Sequence, residues 1–281
     1  VALLFPYSGL CVLAWTAERV DSWGLRLALL PLFAAMQNHL QILMHEGAHY
    51  QILPQKRAGD FLTNVTCALP FFGFLSHYRY FHFAHHRHLR NPELDPEVAF
   101  YAEQGYAFKP MPAGRLAWML FLDLSGYHFF QFLFSYQRFV FGEIRARRLP
   151  AIAGDEWMAA SVVTVFFAFV LLLPHGGRIF AAYWLLPQAT FLFFFLKLQG
   201  YGEHRARGAT IEASTFGHDR GCLVRFFIYP LNSDRHLVHH LYPNVPWYRL
   251  RKIGSSPKRG YFFGQESILK TQLLENRRGI S

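Results

Sequence analysis

Apolar residues fall in long blocks along this chain, with the polar residues gathered between them. Four blocks stand out: residues 1–17, 25–44, 157–174 and 179–198. An α-helix rises about 1.5 Å per residue and a bilayer core is about 30 Å thick, so some 20 residues span it. The block 25–44 is interrupted only mildly, by Gln37, Asn38, His39 and Gln41. Two other blocks fit a span badly. Residues 61–75 are too few and contain Pro70 and Gly73, which predicts a re-entrant or interfacial helix. Residues 116–136 carry Asp123, His128 and Gln131. Polar groups at bilayer depth are costly, so this stretch is expected to lie in the interface.

The pattern predicts an all-α integral membrane protein with four transmembrane helices in two hairpins. Interfacial helices and a polar, His-rich cap of residues 45–156 and 199–281 complete it. Both termini and the cap then share one side. Lys and Arg gather on the cytoplasmic side of membrane proteins. Residues 45–156 hold 11 of them and residues 197–281 hold 14, against only Arg19, Arg26 and Arg178 elsewhere. The cap is therefore expected to be cytoplasmic.

Composition agrees. Hydrophobic residues make up 52% and charged residues 16%, below the usual share of about 25%. Phe runs such as 191–196 need no polar face in lipid. No repeat or linker divides the chain, which predicts a single domain over 1–281. Cys11, Cys67 and Cys222 are odd in number and far apart, so neither a disulfide framework nor a thiolate metal site is expected. The chain starts at Val1 rather than Met, so a preceding segment with any targeting signal is expected. Asn64-Val65-Thr66 matches a glycosylation sequon by chance, since it falls on the cytoplasmic side.

The candidate chemistry lies in histidine. His82-Phe83-Ala84-His85-His86 and His236-Leu237-Val238-His239-His240 share the form H-x-x-H-H, and His45-Glu46-Gly47-Ala48-His49 adds a pair at i and i+4. On a helix these spacings present imidazoles in one direction. Two copies of H-x-x-H-H are improbable by chance with 15 His in 281 residues. His204 follows the last span as His45 follows the second. Nine imidazoles exceed the four of a tetrahedral ion or the six of an octahedral one, and suit two metals with open positions. A ligating His usually passes its other N–H to a carboxylate or carbonyl. Glu46, Asp95, Asp234 and Glu203 are near enough in sequence to serve. His39, His77, His88, His128 and His218 are expected in ordinary hydrogen-bonded or solvated roles.

These boxes, together with Asn91-Pro92-Glu93-Leu94-Asp95-Pro96-Glu97 and the tail Leu241-Tyr242-Pro243-Asn244-Val245-Pro246-Trp247-Tyr248, resemble the membrane fatty acid desaturase superfamily. The likeness runs in order from about residue 25 to 255. It implies a non-haem centre of two iron ions at the cytoplasmic face, using O2 and two electrons to attack an unactivated C–H bond. By that resemblance His45, His49, His82, His85, His86, His236, His239 and His240 are iron ligands, and His204 matches the additional histidine. Asn232 is the nearest candidate for an Asn that holds a metal-bound water. The haem motif of fused cytochrome members is absent, so electrons are expected from a ferredoxin or b-type cytochrome with a reductase.

The expected reaction is insertion of a double bond into an acyl or lipid chain. The same centre could instead carry out hydroxylation, carotenoid oxidation or oxidative decarboxylation to a terminal alkene. Two rivals come from other classes: a zinc-dependent membrane hydrolase, and a metal-binding or transport protein, whose spans would need more ionisable residues than these have. The net charge of +10 is spread over cytoplasmic loops, which points to anionic lipid headgroups and an acidic electron donor, not nucleic acid. Arg249, Arg251, Lys252, Lys258 and Arg259 form the expected docking patch.

Overall fold

The computed structural model describes residues 2–89, 91, 93–106, 111–204, 211, 215 and 220–253. Among these every regular element is helical: α1 (Leu4–Arg19), α2 (Trp23–Ala48), α3 (Lys56–Thr63), α4 (Leu75–His88), α5 (Pro96–Glu103), α6 (Ala113–Leu124) and α7 (Tyr127–Arg145). They continue with α8 (Gly154–Leu172), α9 (Gly176–Phe180), α10 (Phe193–His204), α11 (Cys222–Phe227), α12 (His236–Leu241) and α13 (Trp247–Ile253). His218, Pro92, Lys258 and Arg259 of the sequence reading lie outside the described residues.

Three helices are long and apolar enough to cross a membrane: Trp23–Ala48, Gly154–Leu172 and the continuous run Gly176–His204. They carry three of the four expected spans. The fourth, residues 1–17, forms α1, a helix of 16 residues that packs on α2. The run Gly176–His204 passes Pro187, which has no N–H for the preceding turn, and π-helical turns at Ala181–Leu185 and Gln188–Leu192 flank it. The helix then continues to His204, so Lys197 and Glu203, counted above with the polar cap, belong to the helix itself.

α2 is the centre of the fold. Its apolar window is 67% buried, with Phe33, Leu40 and Leu43 enclosed, whereas that of α8 is 17% buried. α8 exposes Val165, Phe166, Phe169 and Leu172, the pattern of a helix facing lipid. Removing such side chains from water is worth about 1.5–3 kcal/mol each, which a bilayer supplies. The polar residues inside α2 tie it to its neighbours. Gln37 donates to the Trp184 carbonyl at 2.8 Å, and Asn38 donates to Phe227 and Ile228 carbonyls at 2.9 and 3.2 Å. His39 bonds the Ala35 carbonyl through Nδ1 at 2.8 Å.

The two poor candidates for spans are both broken. α3 and the turns that follow it, Lys56–Phe71, meet α4 at 85°. This is the geometry of a broken span or a re-entrant pair, and α4 carries the second His box. The block 116–136 is split between α6 and α7 at Gly126, whose φ of 82° favours glycine. Its buried polar residues face one another: His128 Nδ1 lies 2.6 Å from Asp123 Oδ1, and the Tyr106 hydroxyl donates to the same carboxylate. Asn64 of the sequon is buried and accepts from the Leu75 N–H at 2.9 Å.

Candidate metal centre

The first His box occupies the end of α2, where the last carbonyls of a helix have no partner within it. Arg79 of α4 supplies one. Its Nε donates to the Ala48 carbonyl and its Nη2 to the Gly47 carbonyl, each at 2.9 Å, while the guanidinium also pairs with Asp60 at 2.6 Å. One side chain thus clamps the second box against the first. Close packing holds α3 against the same turn, since a Cβ on Gly47 would lie 2.4 Å from Thr63 Cγ2. The third box enters by a turn in which Leu231 and Asn232 hold φ of 52° and 60°.

All nine predicted imidazoles come together, in two groups. His45, His49, His82, His86 and His239 form one; His85, His204, His236 and His240 form the other, and within each group the potential ligand atoms lie within 4.8 Å of one another. Each H-x-x-H-H box therefore divides. The i and i+4 members stay together and the i+3 member crosses over, in opposite senses in the two boxes. His82 and His86 join the five-membered group while His85 joins the four. His236 and His240 join the four while His239 joins the five. Spacing alone predicts three rings in one direction. About 100° of rotation separates i+3 from i+4, enough to aim them at adjacent sites.

The ring nitrogens converge as ligands of a common ion do. His49 and His82 Nε2 are 2.8 Å apart, His82 and His86 3.0 Å, and His86 and His239 3.2 Å. In the second group His204 and His236 Nε2 are 3.0 Å apart, and His236 and His240 2.9 Å. Two nitrogens each about 2.1 Å from one ion are about 3.0–3.4 Å apart for right-angled to tetrahedral geometry. An imidazole nitrogen carries either a proton or a lone pair, so one Nε2 is poorly served between two others. A cation accepts all the lone pairs at once. The buried Nε2 atoms of His45 and His85 have no hydrogen-bond partner among the described residues, which fits the same arrangement. Burial pushes His49, His82, His86, His236, His239 and His240 well below the ordinary histidine range, and neighbouring imidazoles add to it. Neutral imidazole is the form that binds metal.

Carboxylates stand behind the rings. Asp95 accepts from His85 Nδ1 at 3.0 Å and also caps α5, accepting from the Glu97 N–H at 3.0 Å. Glu97, not singled out in the sequence, lies 3.1 Å from the same Nδ1. Burial lowers His85, but Glu97, Asp95 and Glu203 outweigh it and lift His85 to about 9. Glu46 Oε1 lies 3.5 Å from His45 Nδ1, and its Oε2 accepts from the Trp247 N–H at 3.0 Å. Glu203 accepts from Gln199 at 3.0 Å and lies 3.7 Å from His236 Nε2. Asp234 pairs instead with Arg251 at 2.6 Å. Asn232 does not turn to the rings. Its Oδ1 accepts from Arg225 and Arg251 at 3.0 and 2.7 Å and its Nδ2 donates to the Trp247 carbonyl at 3.0 Å, which closes the turn before the third box.

A cavity of about 340 Å³ opens on both groups, lined by His45 and His82 of one and His85, His204 and His236 of the other. Its walls are largely aromatic, among them Phe71, Phe81, Phe100, Phe132 and Phe193. Lys197 also lines it and is 5% exposed. Its ammonium sits 3.8 Å from the Tyr101 ring centre and 5.1 Å from that of Phe193. A desolvated cation–π contact contributes about 2 kcal/mol, against a burial cost of several kcal/mol for an ion. Sequence reasoning missed Lys197 because it sits near the end of an apolar block, where it reads as a topology signal.

The family described as "Fatty acid desaturase" matches residues 21–259. Among curated proteins, the dihydrorhizobitoxine desaturase of Bradyrhizobium elkanii is similar, 25% identical over 247 residues, covering 82% of this chain and 67% of that protein. No solved structure matches the chain.

Proposed function

Because the chain belongs to the fatty acid desaturase family, we propose that it is a membrane di-iron oxidase of one domain over 1–281. It removes hydrogen from an unactivated C–H bond of an acyl or lipid substrate and leaves a double bond. Two imidazole clusters opening on one aromatic-walled cavity carry this reading. His45, His49, His82, His86 and His239 would hold one iron, and His85, His204, His236 and His240 the other. When bound, the iron pair supplies oxidising power from O2 and two electrons.

The side chains of this protein provide the rest. Asp95 and Glu97 hold the Nδ1 proton of His85, which turns its Nε2 lone pair inward. Glu46 places a carboxylate oxygen 3.5 Å from His45 Nδ1 and ties this end of α2 to α13 by accepting from the Trp247 N–H. The aromatic walls exclude water and set a substrate carbon beside the clusters. Placement matters at the scale of 1 Å, where a displacement costs about 10²-fold in rate. It also separates desaturation from hydroxylation, carotenoid oxidation and oxidative decarboxylation at the same centre.

In this reading electrons come from a reductase with ferredoxin or a b-type cytochrome. The cap and both termini are cytoplasmic in this reading. A cysteine placed at Gly177 should react with an impermeant thiol reagent from outside, and labelling near His88 from that face would contradict the topology.

Purified protein given reductase, ferredoxin, O2 and a lipid extract should yield products lighter by two hydrogens in mass spectrometry, and none without O2 or reductant. Turnover without either would return the protein to the zinc-hydrolase alternative. An alcohol or a shortened terminal alkene as the sole product would keep the iron centre and refute desaturation.

A further inference from the structure

The cavity is not uniformly apolar. Lys197 lies on α10 two turns before His204, on the lipid-ward side of the clusters, and it is enclosed. Two turns of helix are about 10 Å. The three rings around its ammonium are those of Tyr101, Phe193 and Tyr106, the last at 5.8 Å. The nearest acids are already committed. Glu97 is 3.1 Å from His85 Nδ1, and Asp123 holds His128 at 2.6 Å and the Tyr106 hydroxyl. No carboxylate of the described residues forms an ion pair with Lys197, and a buried ammonium needs one or an equivalent acceptor.

Two amides extend the polar surface. Gln188 Nε2 and Gln199 Oε1 are buried, line the same cavity and have no hydrogen-bond partner among the described residues. A pocket built only for the hydrocarbon part of an acyl chain would gain nothing from a cation, an open amide nitrogen and an open amide oxygen, each of which loses water on burial. The backbone is also shaped around this wall. A Cβ on Gly200 would lie 2.0 Å from the Tyr101 hydroxyl, so only glycine lets Tyr101 stand where its ring meets Lys197.

We propose that Lys197 receives a free carboxylate of the substrate inside the cavity, so that the protein acts on an unesterified acid bound head-inward. This inference rests on the oxidase reading for the chemistry but concerns only recognition. The carboxylate would accept a charge-assisted hydrogen bond from the ammonium, and the carbon attacked would lie between Lys197 and the two clusters.

The test is equilibrium binding of radiolabelled dodecanoate and methyl dodecanoate to the purified protein near neutral pH, at measured free concentrations. Wild type should bind the acid about tenfold or more tighter than the ester, the scale of a hydrogen bond to a charged group. Lys197→Met should erase that preference while metal content and ester binding stay as in wild type, and Lys197→Arg should retain it. Equal binding of acid and ester by wild type would overturn the inference, as would a preference that survives in Lys197→Met. If Lys197→Met fails to fold, the wild-type comparison and Lys197→Arg decide, since loss of the preference in the arginine variant with metal intact would also count against it.

Failure of the oxidase reading looks different. Lys197-dependent binding of the acid with no O2-dependent product would refute the oxidase and leave this inference standing. O2-dependent desaturation of an acid and its methyl ester with equal efficiency by wild type, unchanged in Lys197→Met, would do the reverse.

Discussion

The two histidine clusters share a donor type but not their surroundings. The five-membered cluster is imidazole on nearly every side, with one carboxylate among the described residues, Glu46, behind His45 at 3.5 Å. The four-membered cluster is backed by Asp95 and Glu97 on His85 and by Glu203 near His236. A cation in the second would thus meet more nearby negative charge than one in the first, which has Glu46 behind its rings. The difference teaches that the two sites need not bind, release or reduce their metals alike, although the same boxes build both. The variants below are chosen to separate them.

Removing a ligand should have the largest effect. His82→Ala takes a nitrogen from the five-membered cluster and His204→Ala one from the four. Each should lower bound metal and cut turnover by about 10²-fold or more. Elemental analysis with single-turnover assays checks this. His175→Ala, at the exposed turn before α9, should change neither. Full metal in both ligand variants would break the comparison at its root.

Next come the carboxylates. Asp95→Asn should weaken metal at the four-membered cluster by roughly 10–100-fold, and Glu46→Gln should act on the five-membered one. Competition with a graded chelator reads both. Asp95→Asn keeps an N-cap for α5, so a fall in metal affinity without loss of fold separates the two roles of that residue. Identical metal release curves for the two variants would erase the proposed asymmetry.

Acid and base should act on different histidines in the metal-free protein. His49, His82, His86 and His239 of one cluster and His236 and His240 of the other are held neutral by burial, so the unfolded chain binds more protons than the folded one below about pH 6.5. Stability from these six is present above the ordinary histidine pKa and falls as the pH drops through it. His85 has the opposite sign. Its raised value of about 9 gives stability that is complete below about 6.5 and lost as the pH rises through 9. Melting of the chelated protein across this range should show losses at both ends, and Asp95→Asn should remove mainly the alkaline one.

The smallest effect concerns the electron donor. α13 meets the five-membered side through the bond from Trp247 to Glu46, and it exposes Arg249 and Lys252, while Arg251 is taken up by Asp234. Arg249→Ala with Lys252→Ala should slow donor-dependent turnover severalfold at low salt and little at high salt, with metal content unchanged. A salt-independent rate would remove docking from this face.

Much of this was open to reading in the sequence. The apolar blocks gave the helices Trp23–Ala48, Gly154–Leu172 and Gly176–His204, and the flaws in 61–75 and 116–136 marked where helices break. Eight of the nine histidines followed from box spacing, and His204 from its place just beyond the last apolar block. The division of each box between two clusters did not, because the docking angle of α4 and α12 decides it and spacing constrains only the face. Glu97 escaped notice because Asp95, two residues earlier, already explained an acid before Pro96. Asn232 looked usable by its distance from His236, but a local turn with positive φ sends its side chain to Arg225 and Arg251. Lys197 is the most instructive miss. A cation near the end of an apolar block reads as an anchor, until the helix is found to continue through Gln199 and Tyr201 to His204.

The most direct test is the metal itself. Protein purified without added metal or chelator should contain about two iron ions per chain, and His82→Ala and His204→Ala should each contain less. Iron near this level that falls in both variants is the predicted result. Zinc in place of iron, or a full complement of metal in either variant, would contradict the account.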